Sequence, residues 1–178
     1  MNVYGTEQIR NVVLLGHGGA GKTTVAEALA MVTGVTKRMG KVPDGNTISD
    51  YDKEEIKRQF SISTTLIPLE FQGDNGPMKL NLLDTPGFFD FVGEVEEAIS
   101  VADAAIIVVN CKAGIEPGTE KAWEMCEKYK LPRMIFVTNM DDDHASYREL
   151  VVKLKTKFGR KIAPFQLPIR ENEKFVGF

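Results

Sequence analysis

The sequence holds little of what marks a secreted, membrane-spanning or metal-cluster protein. Its 178 residues contain two cysteines, two histidines and one tryptophan. Cys111 and Cys126 cannot form a disulfide framework and lack metal-site spacing, so both are expected as buried thiols. The longest apolar run, Ala104 to Val109, falls far short of the roughly 20 residues that span a bilayer. The N-terminal stretch MNVYGTEQIRN has no apolar segment that could act as a signal peptide. A cytoplasmic protein with no membrane partner is the expectation. Internal repeats and low-complexity tracts are missing as well. The formal net charge of −3 excludes the domain as a general polyanion binder, so direct sequence-specific nucleic-acid binding is not expected. The basic run Lys153, Lys155, Lys157, Arg160, Lys161 reads as the solvated face and end of a helix; a partner-facing patch is the alternative.

What is present is an ordinary globular composition, 43% hydrophobic and 26% charged, in a length that suits one domain. Four short apolar runs, Val12–Leu15, Leu80–Leu83, Ala104–Val109 and Met134–Val137, have the character of parallel strands buried on both faces. Between them lie helical stripes: Val25, Ala28, Leu29 and Val32; Ala122, Cys126 and Tyr129; and Tyr147, Leu150, Val151, Leu154 and Phe158. Ser61–Phe71 is rich in β-branched residues, and Pro68 places it at a sheet edge. The turn Gly73-Asp74-Asn75-Gly76-Pro77 joins it to Met78–Leu83 as a hairpin. Residues 34–60 show little periodicity and read as a long functional loop. The expected fold is an α/β three-layer sandwich, mostly parallel with one antiparallel edge strand.

The segment Gly16-His17-Gly18-Gly19-Ala20-Gly21-Lys22-Thr23 fits GxxxxGK[ST] and sits between an apolar strand and an amphipathic helix. Its glycines let backbone N–H groups curl around phosphate oxygens, and the helix N-terminus adds partial positive charge. Lys22 is suited to the β- and γ-phosphates, and the Thr23 hydroxyl to Mg²⁺. Thr24 follows in the same turn. Gly16, Gly18 and Gly21 also match the dinucleotide fingerprint, which expects an acidic ribose ligand about 20 positions on. That region is Thr36-Lys37-Arg38-Met39-Gly40-Lys41, basic and without a strand pattern.

Two further segments extend the pattern. Asp84-Thr85-Pro86-Gly87 follows an apolar strand, where a carboxylate can support Mg²⁺ and Gly87 can offer its N–H to a γ-phosphate. Thr138-Asn139-Met140-Asp141-Asp142 follows another. A carboxylate here can accept two hydrogen bonds from guanine, a donor pair that adenine lacks on that edge. The plainer reading of the second segment is a strand-to-helix loop with Asp143 or a neighbour as N-cap.

With these residues in place the chain resembles elongation factor G and its relatives, including the ribosomal-protection proteins. The resemblance covers nearly the whole chain. It runs through Gly21-Lys22-Thr23-Thr24, Asp84-Thr85-Pro86-Gly87 with Asp90-Phe91, Ala113-Gly114-Ile115-Glu116-Pro117 and Gln166-Leu167-Pro168-Ile169. It implies a GTP-binding domain over residues 1–178 that binds Mg²⁺ with GTP or GDP and hydrolyses GTP in association with the ribosome. The family's switch I motif falls on Arg58-Gln59-Phe60-Ser61, which makes residues 34–61 switch I and puts Ser61 in place of the Mg²⁺-ligating threonine.

Four departures stand beside the matches. Phe88 occupies the position of the histidine that positions the attacking water, and Phe can neither donate nor accept a hydrogen bond. Catalysis resting on Lys22 and Gly87 is therefore expected to be slow, or the chain to serve as a GTP/GDP switch. Gly19 replaces the family's P-loop aspartate. Asn139 replaces the lysine whose stem lies over the base, leaving Thr138, Asn139 and Asp141 as the base-side set, with Asn139 and Asp142 as the second register. The resemblance also implies that a subdomain insert and further domains follow Phe178, leaving the last segment weakly anchored. Translocation, ribosome release and antibiotic protection are distinguished in those domains.

Overall fold

In the computed structural model, which describes residues 3–74, 76–171 and 174–177, the sheet is built outward from one strand. That strand, β1 (Ile9–Leu15), ends in four consecutive buried apolar residues, Val12 to Leu15. It lies between two parallel neighbours, β3 (Gly76–Asp84) and β4 (Ala104–Asn110), and helical layers cover both its faces. Strand β5 (Arg133–Thr138) pairs in parallel with β4, and β2 (Thr65–Gly73) runs antiparallel along β3. The order is β2-β3-β1-β4-β5, so Pro68 lies on an edge strand, where its missing N–H costs no ladder bond. Gly73 pairs with Gly76 at the hairpin end; Asn75, part of the expected turn, lies outside the described residues.

Helices α1 (Lys22–Val32), α2 (Lys53–Arg58), α3 (Val92–Ser100), α4 (Pro117–Lys128) and α5 (Tyr147–Phe158) complete the layers. Alternation along β1 divides the core. Val12 and Leu14 join Val25, Ala26, Ala30, Ile67, Leu69 and Leu82 on the α1 side. Val13 and Leu15 join Ile99, Ala122, Cys126, Leu150 and Leu154 on the side of α3, α4 and α5. Both cysteines are buried. This is the expected three-layer α/β sandwich. Among the described residues no helix is long and apolar enough to cross a membrane.

Three local expectations need correction. Strand β5 is covered on one face only, with Met134 54% and Phe136 41% exposed, because it is the opposite edge. Val32 is 80% exposed, and the buried face of α1 runs through Val25, Ala26 and Ala30. Helix α5 is capped by Ser146, whose hydroxyl accepts from Glu149 N–H, and not by Asp143. The terminal segment is lightly anchored, as expected: β6 (Ile169–Glu171) pairs antiparallel with β7 (Lys174–Gly177) in a separate sheet and Phe175 packs against the larger core, while Phe165, Leu167, Ile169 and Val176 stay exposed. Phe178 lies outside the described residues.

The stretch 34–60 is not patternless in space. It contains α2, which opens with an Asp52–Glu55 capping box. Two buried carboxylates also replace the ladder that the loop lacks. Glu27 on α1 accepts from Gly40 N–H at 2.7 Å and from Ile48 N–H. Glu55 accepts from the N–H groups of Ile62 and Ser63. Replacing Glu27 with alanine leaves one buried and one half-buried N–H group without partners, an expected loss of about 2–3 kcal/mol. Urea unfolding should show that loss, and limited proteolysis should show new cleavage between residues 34 and 52.

Candidate functional site

The loop Gly16–Gly21 leaves β1 at its C-terminal end and enters α1, the position in an open α/β sheet where ligands bind. Gly21 caps α1 at φ 97°, a left-handed conformation suited to glycine, and so opens the helix with its N–H groups free. Lys22 and Thr23, the first two helical residues, are buried, while Thr24 is exposed. The Lys22 ammonium donates to the carbonyls of Gly16 and His17 at 3.1 and 3.0 Å, holding it beneath the loop. Burial lowers its pKa to about 8, against the pull of Asp84, Asp50 and Glu116.

Beside it runs a line of buried polar contacts. Asp84 ends β3 next to β1 and accepts from Thr23 Oγ1 at 2.9 Å. Thr23 Oγ1 lies 3.3 Å from Ser61 Oγ, which donates to Asp50 Oδ1 at 2.7 Å. Asp50 and Asp84 are 4% and 1% exposed, and Asp84 Oδ1 and Asp50 Oδ2 have no hydrogen-bond partner. Burial pushes the Asp84 carboxyl up to about 6, opposed by the Ser49 and Thr23 hydroxyls and by Lys22. Burial also raises Asp50, against its bond from Ser61. Two orphaned carboxylate oxygens and two hydroxyls make a donor set for a hard divalent cation. Among the described residues no three His, Cys, Asp or Glu side chains are grouped to hold a metal alone, so such an ion would share its shell with a ligand's oxygens.

Gly87 comes so close to the loop that a Cβ there would lie 2.7 Å from Gly18 Cα and 2.5 Å from Lys22 Nζ. Phe88 follows. Its ring rests against Gly18, where an added Cβ would meet Phe88 at 3.0 Å, and against Phe60, with ring centroids 4.7 Å apart. Gly18, Gly19, Lys22, Thr23, Ser61, Gly87 and Phe88 therefore face one cleft of about 230 Å³. His17 points elsewhere, its Nε2 3.6 Å from Glu116 at the start of α4.

The base-side residues are brought to the same end of the sheet by β5. Thr138 Oγ1 donates to the carbonyl of Ala20 at 2.7 Å, tying this strand to the loop. Asn139 adopts φ 55°, tolerable for asparagine, and its side-chain carbonyl accepts from Asn110 Nδ2 at 3.3 Å. Asp141 is exposed. Asp142 is occupied, accepting from Lys112 Nζ at 3.0 Å and from His144 N–H, which together hold its carboxyl below the usual range. The second register, with Asp142 at the base, thus competes with an existing ion pair.

Sequence reasoning missed Asp50. It lies 11 residues before Ser61 in a stretch without periodicity, and only the folded loop brings the two together. It also missed Glu116 as the partner of His17, since the two are remote in sequence.

Fold and loop together define a P-loop nucleotide-binding domain. The chain belongs to the family described as the elongation factor Tu GTP binding domain, whose model matches residues 7–174. It is 39% identical over 160 residues to an elongation factor G-like protein of Mycobacterium tuberculosis, covering 90% of this chain and 22% of that protein. It is 34% identical over 177 residues to elongation factor G of Granulibacter bethesdensis, covering 99% of this chain and 25% of that protein. A crystal structure from Thermus thermophilus superposes with a TM-score of 0.89 at 42% identity, over 96% of this chain and 25% of the other. The chain thus spans about a quarter of the length of the curated relatives it matches.

The buried carboxylates give the apo domain a distinctive pH response. Asp84 rises from 3.8 to about 6 on folding, so between those values the folded chain binds a proton that the unfolded chain has released. Its contribution to stability is therefore lost as pH rises through that window. In EDTA, thermal unfolding should show a stability lower at pH 7 than at pH 5 by about 1 kcal/mol. Asp84→Asn should flatten the slope, as should saturating Mg²⁺ with GDP. A slope untouched by either change would contradict the cation assignment.

Proposed function

We propose that this chain binds Mg²⁺ with GTP and hydrolyses it slowly to GDP and phosphate, as the GTP-binding domain of an elongation factor G-like protein acting on the ribosome. The observation that carries this reading is the convergence of Lys22, Thr23, Ser61 and Gly87 on one cleft at the mouth of the phosphate loop, with Asp84 buried behind Thr23 and accepting from its hydroxyl. The backbone N–H groups of residues 16–21 and the start of α1 take the phosphate oxygens. Lys22, already aimed along the loop by the Gly16 and His17 carbonyls, exchanges those partners for the β- and γ-phosphates. Thr23, Ser61 and Asp84 hold Mg²⁺, with Asp50 fixing Ser61. When bound, the cation neutralises charge developing on the phosphate oxygens. Gly87 N–H senses the γ-phosphate, and Asp141 accepts from guanine.

Phe88 favours a second reading, a GTP/GDP switch with little turnover. Its ring sits on Gly18 and Phe60 at the γ-phosphate side and brings no hydrogen-bonding group there. Single-turnover phosphate release separates the two. The chain should release phosphate slowly but above background, and Phe88→His should accelerate release by roughly 10²-fold. No release from either protein, with GTP bound to both, would contradict hydrolysis and leave the switch.

A further inference from the structure

We infer that Gln59 is the side chain that orients the attacking water in this chain, taking up the task that Phe88 cannot perform; the inference rests on the GTPase reading above. Gln59 borders the same cleft as Lys22, Ser61, Gly87 and Phe88. Its backbone sits at φ 59° and ψ 36°, a left-handed conformation that is sparsely populated by residues with a side chain. The local fold asks only for backbone here. Gln59 ends α2 by donating its N–H to the Glu55 carbonyl at 2.7 Å, a capping role that glycine fills without strain. A strained non-glycine residue at the rim of a phosphate cleft, where the structural role does not need its side chain, points to work done by that side chain.

The chemistry of the cleft narrows the choice. The Ser61 hydroxyl is spent on Asp50, and Lys22 is bound along the loop. Phe60 and Phe88 meet with their rings tilted at 56° and offer only apolar surface. Thr24 has one hydroxyl on a short stem fixed to α1. Gln59 carries a donor and an acceptor on a neutral, two-methylene stem, the equipment that lines up water without a proton of its own to exchange. In the step it serves, the water oxygen bonds to the γ-phosphorus while the bond from that phosphorus to the β–γ bridging oxygen breaks. The electron pair of the broken bond leaves on GDP, and the water proton passes to an oxygen of the released phosphate. Gln59 Oε1 accepts a hydrogen bond from the water, Nε2 donates to a γ-phosphate oxygen, and the amide ends the step unchanged. Phe60 and Phe88 wall the position against bulk water.

The test compares the unmodified chain, Gln59→Gly, Phe88→His and the double variant in Mg²⁺. Each is followed by fluorescent-nucleotide binding, thermal unfolding and single-turnover GTP hydrolysis. Gln59→Gly should slow hydrolysis roughly tenfold to a hundredfold. Its GTP affinity should stay within about twofold and its melting temperature should be equal or higher, since glycine relieves the left-handed strain. In the Phe88→His background the same change should cost much less, because histidine then holds the water. A Gln59→Gly rate equal to that of the unmodified chain, an equal loss in both backgrounds, or a rate loss matched by lost GTP affinity would overturn the assignment. So would an unmodified chain that binds GTP and does not hydrolyse it. Failure of the unmodified chain to bind GTP at all would instead strike the GTPase reading beneath it.

Discussion

The site depends on a short run of buried hydrogen bonds, Asp50 to Ser61 to Thr23 to Asp84, laid beside the ammonium of Lys22. It joins three parts of the chain that share no regular structure: the long loop, the start of α1 and the end of β3. Burying two carboxylates is costly unless something answers their charge, and each keeps one oxygen with no hydrogen-bond partner. The run is therefore suited to a cation that answers both carboxylates together with a ligand's oxygens. Closure of the loop over the phosphate side is thereby tied to what occupies the cleft.

The rest of the loop is arranged to deliver Asp50 and Ser61 to that place. Glu27 and Glu55 accept the backbone N–H groups that a strand or helix would otherwise satisfy. Thr64 extends the attachment to α3, donating its N–H to Glu94 at 2.7 Å. A segment held by a few side-chain carboxylates opens more readily than one held by a ladder. The loop is thus well positioned yet separable from the core, as the proposed response to a γ-phosphate requires. Phe60 and Phe88 add an apolar contact between the loop and the segment after β3, their rings tilted and 4.7 Å apart.

Much of this was legible in the sequence, for a physical reason in each case. Strand β1 advertises itself because burial on both faces demands four apolar residues in a row, and Pro68 marks an edge because it cannot donate to a ladder. The phosphate loop reads clearly because glycine spacing, lysine and hydroxyl residue are all local requirements. What was hidden depended on distance along the chain. Nothing around Asp50 distinguishes it from the other acids of the loop until Ser61 folds back onto it. Helix α2 was concealed by its brevity, although the Asp52–Glu55 box was a readable signal. The exposure of Met134 and Phe136 was invisible because an edge strand and a central one can carry the same apolar run. On the base side Thr138 reaches Ala20, a contact no periodicity announces.

The domain belongs to a family of GTP-binding domains, and the departures expected from its sequence fall on the proposed γ-phosphate and base sides. Phe88 and Gly19 stand at the first place on the proposed reading and Asn139 at the second, while Asp141 is exposed. The central claim is that the buried polar run and Asp141 together still make a cation-dependent site for guanine nucleotide. Calorimetric titration of the chain with GDP, GTP and ATP, in Mg²⁺ and again in EDTA, tests it most directly. The account predicts that GDP and GTP bind in Mg²⁺ while ATP is silent, and that affinity for GTP falls steeply in EDTA. ATP binding as tightly as GTP, or GTP binding equally well without the cation, would contradict it.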